Sequence, residues 1–340
     1  MKINQTEVNE KFIKQVYLAN IHREPPDKDL DYWVEALRTT HSPQDVHSEI
    51  SSCIEATLYR KSKLFTYPGH FYSPIVDKDE ALTYFEDGGG QRKSEVESVP
   101  GVYLDKAKIR ENWQDLLPFM QSNPFPEKES PQYRYSFNND SFSFGDAYSF
   151  NAILRKFAPK RVIEVGCGWS SACLLDTLKY QSSNDCRTMF IEPYPDLLHQ
   201  LMGPDPEKVE ILSLGVQKAP MSVFEELGSG DILFIDSTHV MKTNSDVHFE
   251  FFEILPRLKS GVLVHFHDIF WPFEYPRQWV VEDNRSWNEI YGLRALLTNN
   301  SAWEIFMFND YAATALNADI AESVPNFLKN SGGSFWMIKT

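Results

Sequence analysis

Short apolar runs alternate with amphipathic stretches through the second part of the chain. The run Arg161–Val165 is rich in β-branched residues and has no Pro or Gly, as a strand covered on both faces requires. Similar runs predict strands, and apolar residues at helical spacing between them predict helices. The predicted strands are 161–165, 188–191, 209–214, 231–236, 261–267, 303–308 and 335–339, and the helices between them are 170–178, 195–202, 221–227, 246–258 and 287–298. This alternation is typical of a doubly wound α/β domain with a mostly parallel sheet.

Further helices are predicted before the first strand. Asp105 is placed to cap a helix that ends at Asn123-Pro124, and Asp146 is placed to cap a helix over 147–157. Between these helices, the alternating aromatic residues of 133–137 predict either an extended arm across a pocket mouth or core packing.

The first part of the chain predicts a small helical module over residues 1–65. Its helices restart after Pro25-Pro26 and after Ser42-Pro43, since Pro is favoured in the first turn of a helix. The module either docks on a polymer or partner, or packs against the catalytic domain or a dimer mate. Residues 66–104 form a predicted connector and 105–340 the α/β domain. The apolar stripe of the third helix comprises Val46, Ile50, Ile54 and Leu58.

The charge, the apolar runs and the cysteines of the chain indicate which partners and which location to expect. The 340 residues carry a net charge of −15, which repels nucleic-acid phosphate and anionic membranes, so we expect neither as a partner. No apolar run reaches the length of a membrane helix and the first ten residues lack a signal-peptide pattern. The four cysteines have neither metal-ligand nor disulfide spacing, which favours a cytoplasmic location.

The first strand leads into a glycine turn that predicts a nucleotide-type site. Gly166 and Gly168 leave backbone N–H groups accessible at the start of the next helix. A dinucleotide site prefers a third glycine where this chain has Ser171. Glu164 would repel a pyrophosphate but suits the ammonium and sulfonium charges of S-adenosylmethionine, and Glu192 is placed to accept the ribose hydroxyls.

From about residue 100 onward the chain resembles class I S-adenosylmethionine-dependent methyltransferases, in the group related to macrocin-type O-methyltransferases. Residues 17–37 resemble a bacterial helical domain of unknown function. The methyltransferase resemblance rests on Ser-Val-Pro-Gly-Val-Tyr (98–103), Phe-Gly-Asp-Ala (144–147), Pro-Lys-Arg-Val-Ile-Glu-Val-Gly-Cys-Gly-Trp-Ser-Ser (159–171), Ile-Glu-Pro-Tyr-Pro (191–195), Phe-Ile-Asp-Ser-Thr-His (234–239) and His-Phe-His-Asp-Ile-Phe-Trp-Pro-Phe-Glu-Tyr-Pro (265–276).

This resemblance implies a seven-stranded Rossmann-like sheet of order 3-2-1-4-5-7-6, whose last strand is antiparallel. Cys167 stands where such proteins often carry Ser, a mild departure because the backbone does most of the binding there. The predicted cofactor-binding residues are Glu164, Gly166, Cys167, Gly168, Ser170, Ser171, Glu192 and Asp236.

Transfer of a methyl group to a hydroxyl requires a base, and histidine is the natural side chain. His267 is the favoured base and His239 the alternative, whereas His265 is expected to be a core residue. Asp236 and Asp268 follow neighbouring strands and could hold Mg²⁺, since related O-methyltransferases include metal-dependent members. Alternatively, Asp236 caps its own loop and Asp268 orients the catalytic His267.

The loop over 269–288 is long and rich in aromatic residues, which indicates either a lid over a saccharide or planar acceptor or structural packing. The sequence therefore predicts an S-adenosylmethionine-dependent O-methyltransferase acting on a saccharide or a natural-product-like small molecule, and is compatible with a homo-oligomer. The alternatives are an NAD(P)-dependent oxidoreductase and a non-catalytic binding or scaffold protein.

Overall fold

The computed structural model describes residues 5–21, 23–53, 56–57, 65–66, 69–88, 95–180, 185–203 and 209–340. The chain divides into two compact units, Met1–Glu80 and Ala81–Thr340. The division falls inside the predicted connector 66–104, whose bounds stay a prediction. None of the helices in the described ranges is both long and apolar enough to span a membrane.

The first unit contains helices α1 (Gln5–Ile21), α2 (Asp27–Thr39) and α3 (Pro43–Ser52). Ser42 caps α3, because its hydroxyl accepts a hydrogen bond from the Asp45 N–H and the Asp45 carboxylate accepts one from the Ser42 N–H. Ile54 and Leu58 of the predicted third stripe lie outside the described residues. The core of this unit includes Ile13, Val16, Tyr17, Ile21, Val46 and Ile50.

The second unit begins within helix α4 (Lys78–Glu86), which the sequence did not predict. Its remaining helices are α5 (Lys106–Gln121), α6 (Phe144–Phe157), α7 (Trp169–Lys179), α8 (Asp196–Met202), α9 (Met221–Glu225), α10 (Asp246–Phe249), α11 (Glu289–Leu297), α12 (Asn309–Ala315) and α13 (Asn317–Ser323). The strands are β1 (Arg161–Val165), β2 (Arg187–Ile191), β3 (Val209–Leu212), β4 (Ile232–Ile235), β5 (Leu263–Phe266), β6 (Trp303–Phe308) and β7 (Phe335–Lys339).

Among the described residues, these seven strands form one sheet in the order β3-β2-β1-β4-β5-β7-β6. β7 is antiparallel to both β5 and β6, and the other neighbours are parallel. The predicted fold class and strand order are therefore confirmed. The sheet brings the carboxyl ends of β1, β2, β4 and β5 to one edge, where parallel α/β sheets bind ligands.

Aromatic side chains fill the space between α6 and the middle of the sheet. Phe150 of α6 lies 4.7 Å from the Phe234 ring of β4 and 5.7 Å from the Trp336 ring of β7. All three side chains are fully buried, so they contribute much of the apolar area that holds α6 on the sheet. This packing fixes the first turn of α6 close to the carboxyl ends of β4 and β5.

Two helix predictions need correction. The predicted cap Asp146 is wrong, because α6 begins at Phe144 and Asp146 lies inside its first turn, buried and bonded to Ser334. The predicted helix 246–258 is regular only over α10. It continues as a π-helical turn and a 3-10 turn, since Pro256 has no N–H to continue the α-helical pattern.

Candidate active site

The turn between β1 and α7 is built around Gly166. Its φ of +80° suits glycine, and a Cβ added there would lie 1.8 Å from the carbonyl oxygen of Asp236. The Gly166 N–H donates to the Ile191 carbonyl of β2 at 3.1 Å, so the turn lies close to both neighbouring strands. A Cβ at Gly168 would meet only Leu197, at 3.7 Å, which leaves open space beside the start of α7.

Glu164 supports this turn from below. Its Oε1 accepts hydrogen bonds from the hydroxyls of Ser170 at 2.5 Å and Ser171 at 2.9 Å. The Ser171 hydroxyl in turn accepts from the Gly168 N–H at 3.1 Å. Glu164 therefore links the end of β1 to the first turn of α7 and fixes the glycine turn between them.

Burial raises the pKa of Glu164 to about 8, although the two serine hydrogen bonds act in the opposite direction. Glu164 Oε2 is buried and forms no hydrogen bond with any described residue. The carboxyl group is thus mostly neutral at pH 7 without a ligand. The predicted action of Glu164 as a carboxylate toward a cationic cofactor stays a prediction.

A cavity of about 410 Å³ opens beyond the carboxyl ends of β1, β2 and β4. Glu192 and Asp236 line it, whereas the described Glu164 side chain does not form part of its wall. Glu192 Oε1 accepts from the Tyr194 N–H at 2.8 Å, which holds the carboxylate at the end of β2. The wall comprises Val165, Gly166, Ile191, Glu192, Pro193, Tyr194, Gly215, Val216, Gln217, Asp236, Ser237, Thr238 and Asp246.

These features fit S-adenosylmethionine. The bare glycine turn lets an adenosine derivative approach the backbone without meeting a side chain. Glu192 provides an acceptor for ribose hydroxyls on the cavity wall, and the fully buried Glu164 fixes the glycine turn beside it. Burial raises the pKa of the Cys167 thiol well above its usual range, so Cys167 contributes no negative charge.

Two histidines and two aspartates meet beside this cavity. His239 Nε2 lies 3.5 Å from Asp236 Oδ1 and 3.4 Å from Asp268 Oδ2. His267 Nδ1 lies 3.5 Å from the same Asp236 oxygen and 3.4 Å from Asp268 Oδ1. The structure therefore brings together all the predicted catalytic side chains, and we refer to these four as the histidine cluster.

His239 has a third carboxylate partner that fixes its ring. Its Nδ1 is 2.8 Å from Oε2 of Glu289, at the start of α11, and its ring centroid is 4.4 Å from Trp287. Burial lowers the pKa of His239, but the hydrogen bond and charge of Glu289 together with Asp236 and Asp268 outweigh this and raise it to about 9. Glu289 therefore orients the imidazole of His239, which directly follows the cavity-lining residue Thr238 in the chain.

His267 is enclosed by carboxylates. Besides the two aspartates at Nδ1, Asp146 Oδ2 lies 3.5 Å from its Nε2, and the Phe142 ring packs at 5.5 Å. Burial lowers the pKa of His267, yet the charges of Asp236, Asp268 and Asp146 raise it well above its usual range. An imidazolium in this position neutralises the aspartates of the histidine cluster.

His265 is fully buried, as predicted for a core residue. Its Nε2 lies 3.0 Å from Ser334 Oγ and its ring stacks on Phe234 at 3.8 Å. Burial lowers the pKa of His265 well below its usual range, and the nearby His267 acts in the same direction. His265 is therefore a neutral residue of the sheet interior.

The side chains around Asp236 and Asp268 fit a Mg²⁺ ion poorly. Asp236 and Asp268 lie side by side as predicted, but within the described ranges no three or more His, Cys, Asp and Glu side chains are arranged to hold a metal ion. Burial raises the pKa of Asp236, while the charge and hydrogen bond of His267 outweigh it and lower the pKa to about 2. The histidines thus act as the counter-charges of these carboxylates.

The aromatic loop 269–288 packs partly on itself and partly on β6, β7 and α12. Trp271, Phe273 and Tyr275 are buried, which supports the structural reading for these residues. The Arg285 guanidinium lies 4.4 Å from the Trp279 ring centroid and 4.8 Å from that of Trp287. These two half-buried rings lie next to His239 through Trp287 and form the part of the loop nearest the histidine cluster.

The predicted arm 133–137 is also part of the core. Tyr135 and Phe137 are buried, and the Tyr135 hydroxyl donates to the Phe142 carbonyl at 2.7 Å. Of the two predictions for residues 133–137, core packing therefore describes Tyr135 and Phe137, and the extended arm across a pocket mouth does not.

Two carboxylates of the site were missed as site residues. Glu289 was counted only as part of a helix and Asp146 only as a cap, because neither follows a predicted strand. Their one sequence signal is that an acid stands at the beginning of a helix whose amino end faces the carboxyl edge of the sheet. That signal is shared by ordinary helix caps.

The strand order and the glycine turn define a class I methyltransferase fold. Residues 163–269 match the model of a family described as a methyltransferase domain. The chain therefore contains a methyltransferase domain.

One protein is similar to this chain in sequence, and two solved structures are similar to it in fold. An uncharacterized protein of Archaeoglobus fulgidus is 28% identical over 162 residues, which cover 47% of this chain and 72% of that protein. The crystal structure of the S-adenosylhomocysteine-bound methyltransferase PaMTH1 of Podospora anserina is 12% identical with a TM-score of 0.37, covering 78% of this chain and 97% of that chain. The cyclopropane synthase MmaA2 of Mycobacterium tuberculosis is 12% identical with a TM-score of 0.31, covering 69% of this chain and 99% of that chain.

Proposed function

We propose that the chain is an S-adenosylmethionine-dependent methyltransferase that transfers the methyl group to a hydroxyl of a saccharide or of a natural-product-like small molecule. The observation that carries the proposal is the 2.8 Å contact between His239 and Glu289 beside the cavity. An imidazole oriented by a carboxylate is the arrangement that general-base catalysis requires, and a hydroxyl is the acceptor that needs such a base.

Glu192, the glycine turn and Glu164 would hold the cofactor. S-adenosylmethionine, when bound, supplies the methyl group, and its sulfur keeps the electron pair of the broken carbon–sulfur bond. The chain's own task is to align the acceptor oxygen and to receive its proton at His239 Nε2, while Glu289 accepts the Nδ1 hydrogen bond.

The geometry favours His239 over His267, which the sequence had favoured. The Glu289 carboxylate lies 2.8 Å from His239 Nδ1 and orients that ring. His267 instead contacts three aspartates, each at 3.4 to 3.5 Å. We assign it the role of holding Asp236 and Asp268 in place. Asp268 then serves both histidines, as its contacts of 3.4 Å to each indicate.

The acceptor class can be tested with S-adenosylmethionine labelled with carbon-13 in its methyl group. The chain is incubated with methyl glycosides and simple phenols, and the products are examined by NMR. A methyl ether supports the proposal. A label found on nitrogen, carbon or sulfur contradicts it. Calorimetric titration with S-adenosylhomocysteine and with NAD distinguishes this class from an oxidoreductase, and any turnover excludes a scaffold without activity.

The base can be tested with His239→Gln, compared with His248→Gln as a matched control on an exposed histidine. We expect His239→Gln to lower the rate of methyl transfer by roughly 10²- to 10⁴-fold with unchanged affinity for S-adenosylhomocysteine. Since the pKa of His239 is raised to about 9, the wild-type rate should increase with pH up to that value. A full rate in His239→Gln would refute the assignment.

A requirement for Mg²⁺ stays a prediction from the sequence, and no step above depends on it. Asp236 and Asp268, the two carboxylates predicted for such an ion, face His239 and His267. Loss of turnover on chelation that Mg²⁺ alone restores would support the requirement. Turnover that survives exhaustive chelation would contradict it.

A further inference from the structure

The segment Asn330–Ser334, which leads into β7, joins three elements that surround the histidine cluster. The Asn330 carbonyl accepts from the Gly145 N–H of α6 at 2.8 Å. The Gly333 carbonyl accepts from the Ile269 N–H, just beyond β5, at 2.9 Å. The Ser334 carbonyl accepts from the Asn309 N–H after β6 at 3.0 Å. We call this segment the 330–334 turn.

The 330–334 turn fixes the carboxylate of Asp146. Asp146 Oδ1 accepts from the Ser334 N–H at 3.0 Å and from its hydroxyl at 2.7 Å. Gly332 has a φ of +73°, and a Cβ added there would lie 2.0 Å from Asp146 Oδ2. Only glycine therefore lets the turn close over this carboxylate, which is 2% exposed.

The second oxygen of Asp146 faces His267. Oδ2 lies 3.5 Å from His267 Nε2, and both side chains are buried. The other ring nitrogen faces Asp236 and Asp268, so the position of the His267 ring sets the position of both aspartates. A buried charge that loses its partner is costly, and the ring would reorient if Asp146 moved.

We propose that Asp146, held by the 330–334 turn, is a positioning residue that fixes His267 and thereby aligns Asp236 and Asp268 beside His239. This inference rests on the proposed function, because the histidine cluster is the group that it serves. It assigns a reaction role to a turn that is far in sequence from every other residue of the site.

The rival explanation is that Asp146 only joins α6 to β7 and stabilises the fold. Two substitutions separate the explanations, because they disturb different properties of the same contact. Asp146→Asn keeps an oxygen for Ser334 but replaces the charge that faces His267. Gly332→Ala keeps the charge and displaces the carboxylate. Thr177→Val is the matched control, since it removes a buried hydrogen bond between Asn151 of α6 and α7 that touches neither histidine.

The first readout needs no acceptor. The full chain is labelled with nitrogen-15 in its histidines, saturated with S-adenosylhomocysteine at one fixed pH, and the ring nitrogens are observed by NMR. The His267 signals are identified by their loss in His267→Asn. We expect them to shift in Asp146→Asn and in Gly332→Ala and to stay in place in Thr177→Val.

The second readout separates positioning from general damage. Affinity for S-adenosylhomocysteine, measured by calorimetry, should be the same in all these variants, whereas kcat with any acceptor that turns over should fall roughly 10- to 100-fold in the two test variants. Unchanged His267 signals in both test variants would overturn the proposal, as would equal losses of cofactor affinity and kcat. A wild-type chain without turnover counts against the proposed function and leaves the NMR comparison decisive for the positioning role.

Discussion

Glu164 differs from Glu192 in the way each carboxylate is used. Glu192 lines the cavity, while Glu164 is fully buried and receives two serine hydrogen bonds. The neutral form of Glu164 is favoured up to about pH 8, since burial raises its pKa. Glu192 is therefore the carboxylate that faces the cavity, and Glu164 holds the glycine turn.

Glu164 should make stability depend on pH. The folded chain binds a proton at Glu164 up to about pH 8, whereas the unfolded chain releases it near pH 4.5. The unfolded state thus binds fewer protons between these values, and the free energy of unfolding should fall as pH rises from about 4.5 to 8. Each pKa unit corresponds to about 1.4 kcal/mol. Urea unfolding of the wild type and of Glu164→Gln between about pH 4.5 and 8 checks this fall in the free energy of unfolding.

The glutamine variant should show a flatter pH profile, because its side chain does not titrate. Glu226→Gln serves as the control, since this glutamate is 62% exposed and pairs with Arg161 at the surface. A profile of Glu164→Gln that coincides with the wild type would mean that Glu164 does not titrate in this range.

At the scale of elements, the turn between β1 and α7 depends on the absence of a side chain at Gly166. Gly166→Ala would place a methyl group 1.8 Å from the Asp236 carbonyl in a backbone conformation with φ of +80°. We expect a lower melting temperature and at least a tenfold weaker affinity for S-adenosylhomocysteine, measured by calorimetry, since strain and a clash add at one site.

Gly228→Ala is the matched control for that turn, because its new Cβ would meet only Asp231 Oδ2, at 3.7 Å. Cofactor affinity should be unchanged in this variant. An unchanged affinity in Gly166→Ala as well would show that the turn does not form the cofactor site.

The amino end of α5 gives a second prediction at this scale. Asp105 Oδ1 accepts from the Ala107 N–H at 2.8 Å and from the Lys108 N–H at 3.4 Å, as its predicted capping role requires. Asp105→Ala should therefore lower the free energy of unfolding by about 1 kcal/mol. Denaturant unfolding checks this, with Glu129→Ala as an exposed acid outside any helix. Equal stability of the two variants would contradict the cap.

Most strands and the helices between them could be predicted because burial on two faces imposes continuous apolar runs. Helices α12 and α13 could not be predicted, because they follow β6 directly and have no separate stretch of apolar residues at helical spacing. The contacts of Asp146 with Ser334 and His267 could not be predicted either. They join residues 188 and 121 positions apart, and only the insertion of β7 beside β5 brings them together.

For the whole molecule, the two compact units suggest separate tasks. Every residue that lines the cavity proposed for the cofactor lies between Val165 and Asp246, within the second unit. A fragment of residues 78–340, which retains all of α4, should therefore bind S-adenosylhomocysteine as tightly as the full chain. Calorimetry on both compares them. A much weaker affinity in a folded fragment, judged by circular dichroism, would show that residues 1–77 contribute to the cofactor site.

The position of β7 has a consequence for biosynthesis. β7 lies between β5 and β6 yet follows both in the chain, so both strands are synthesised before their common neighbour. The growing polypeptide then carries unpaired strand edges that favour association with other chains. During this interval Asp146 lacks its hydrogen bonds from Ser334, which immediately precedes β7. Association through these edges is therefore favoured most before β7 pairs with both strands.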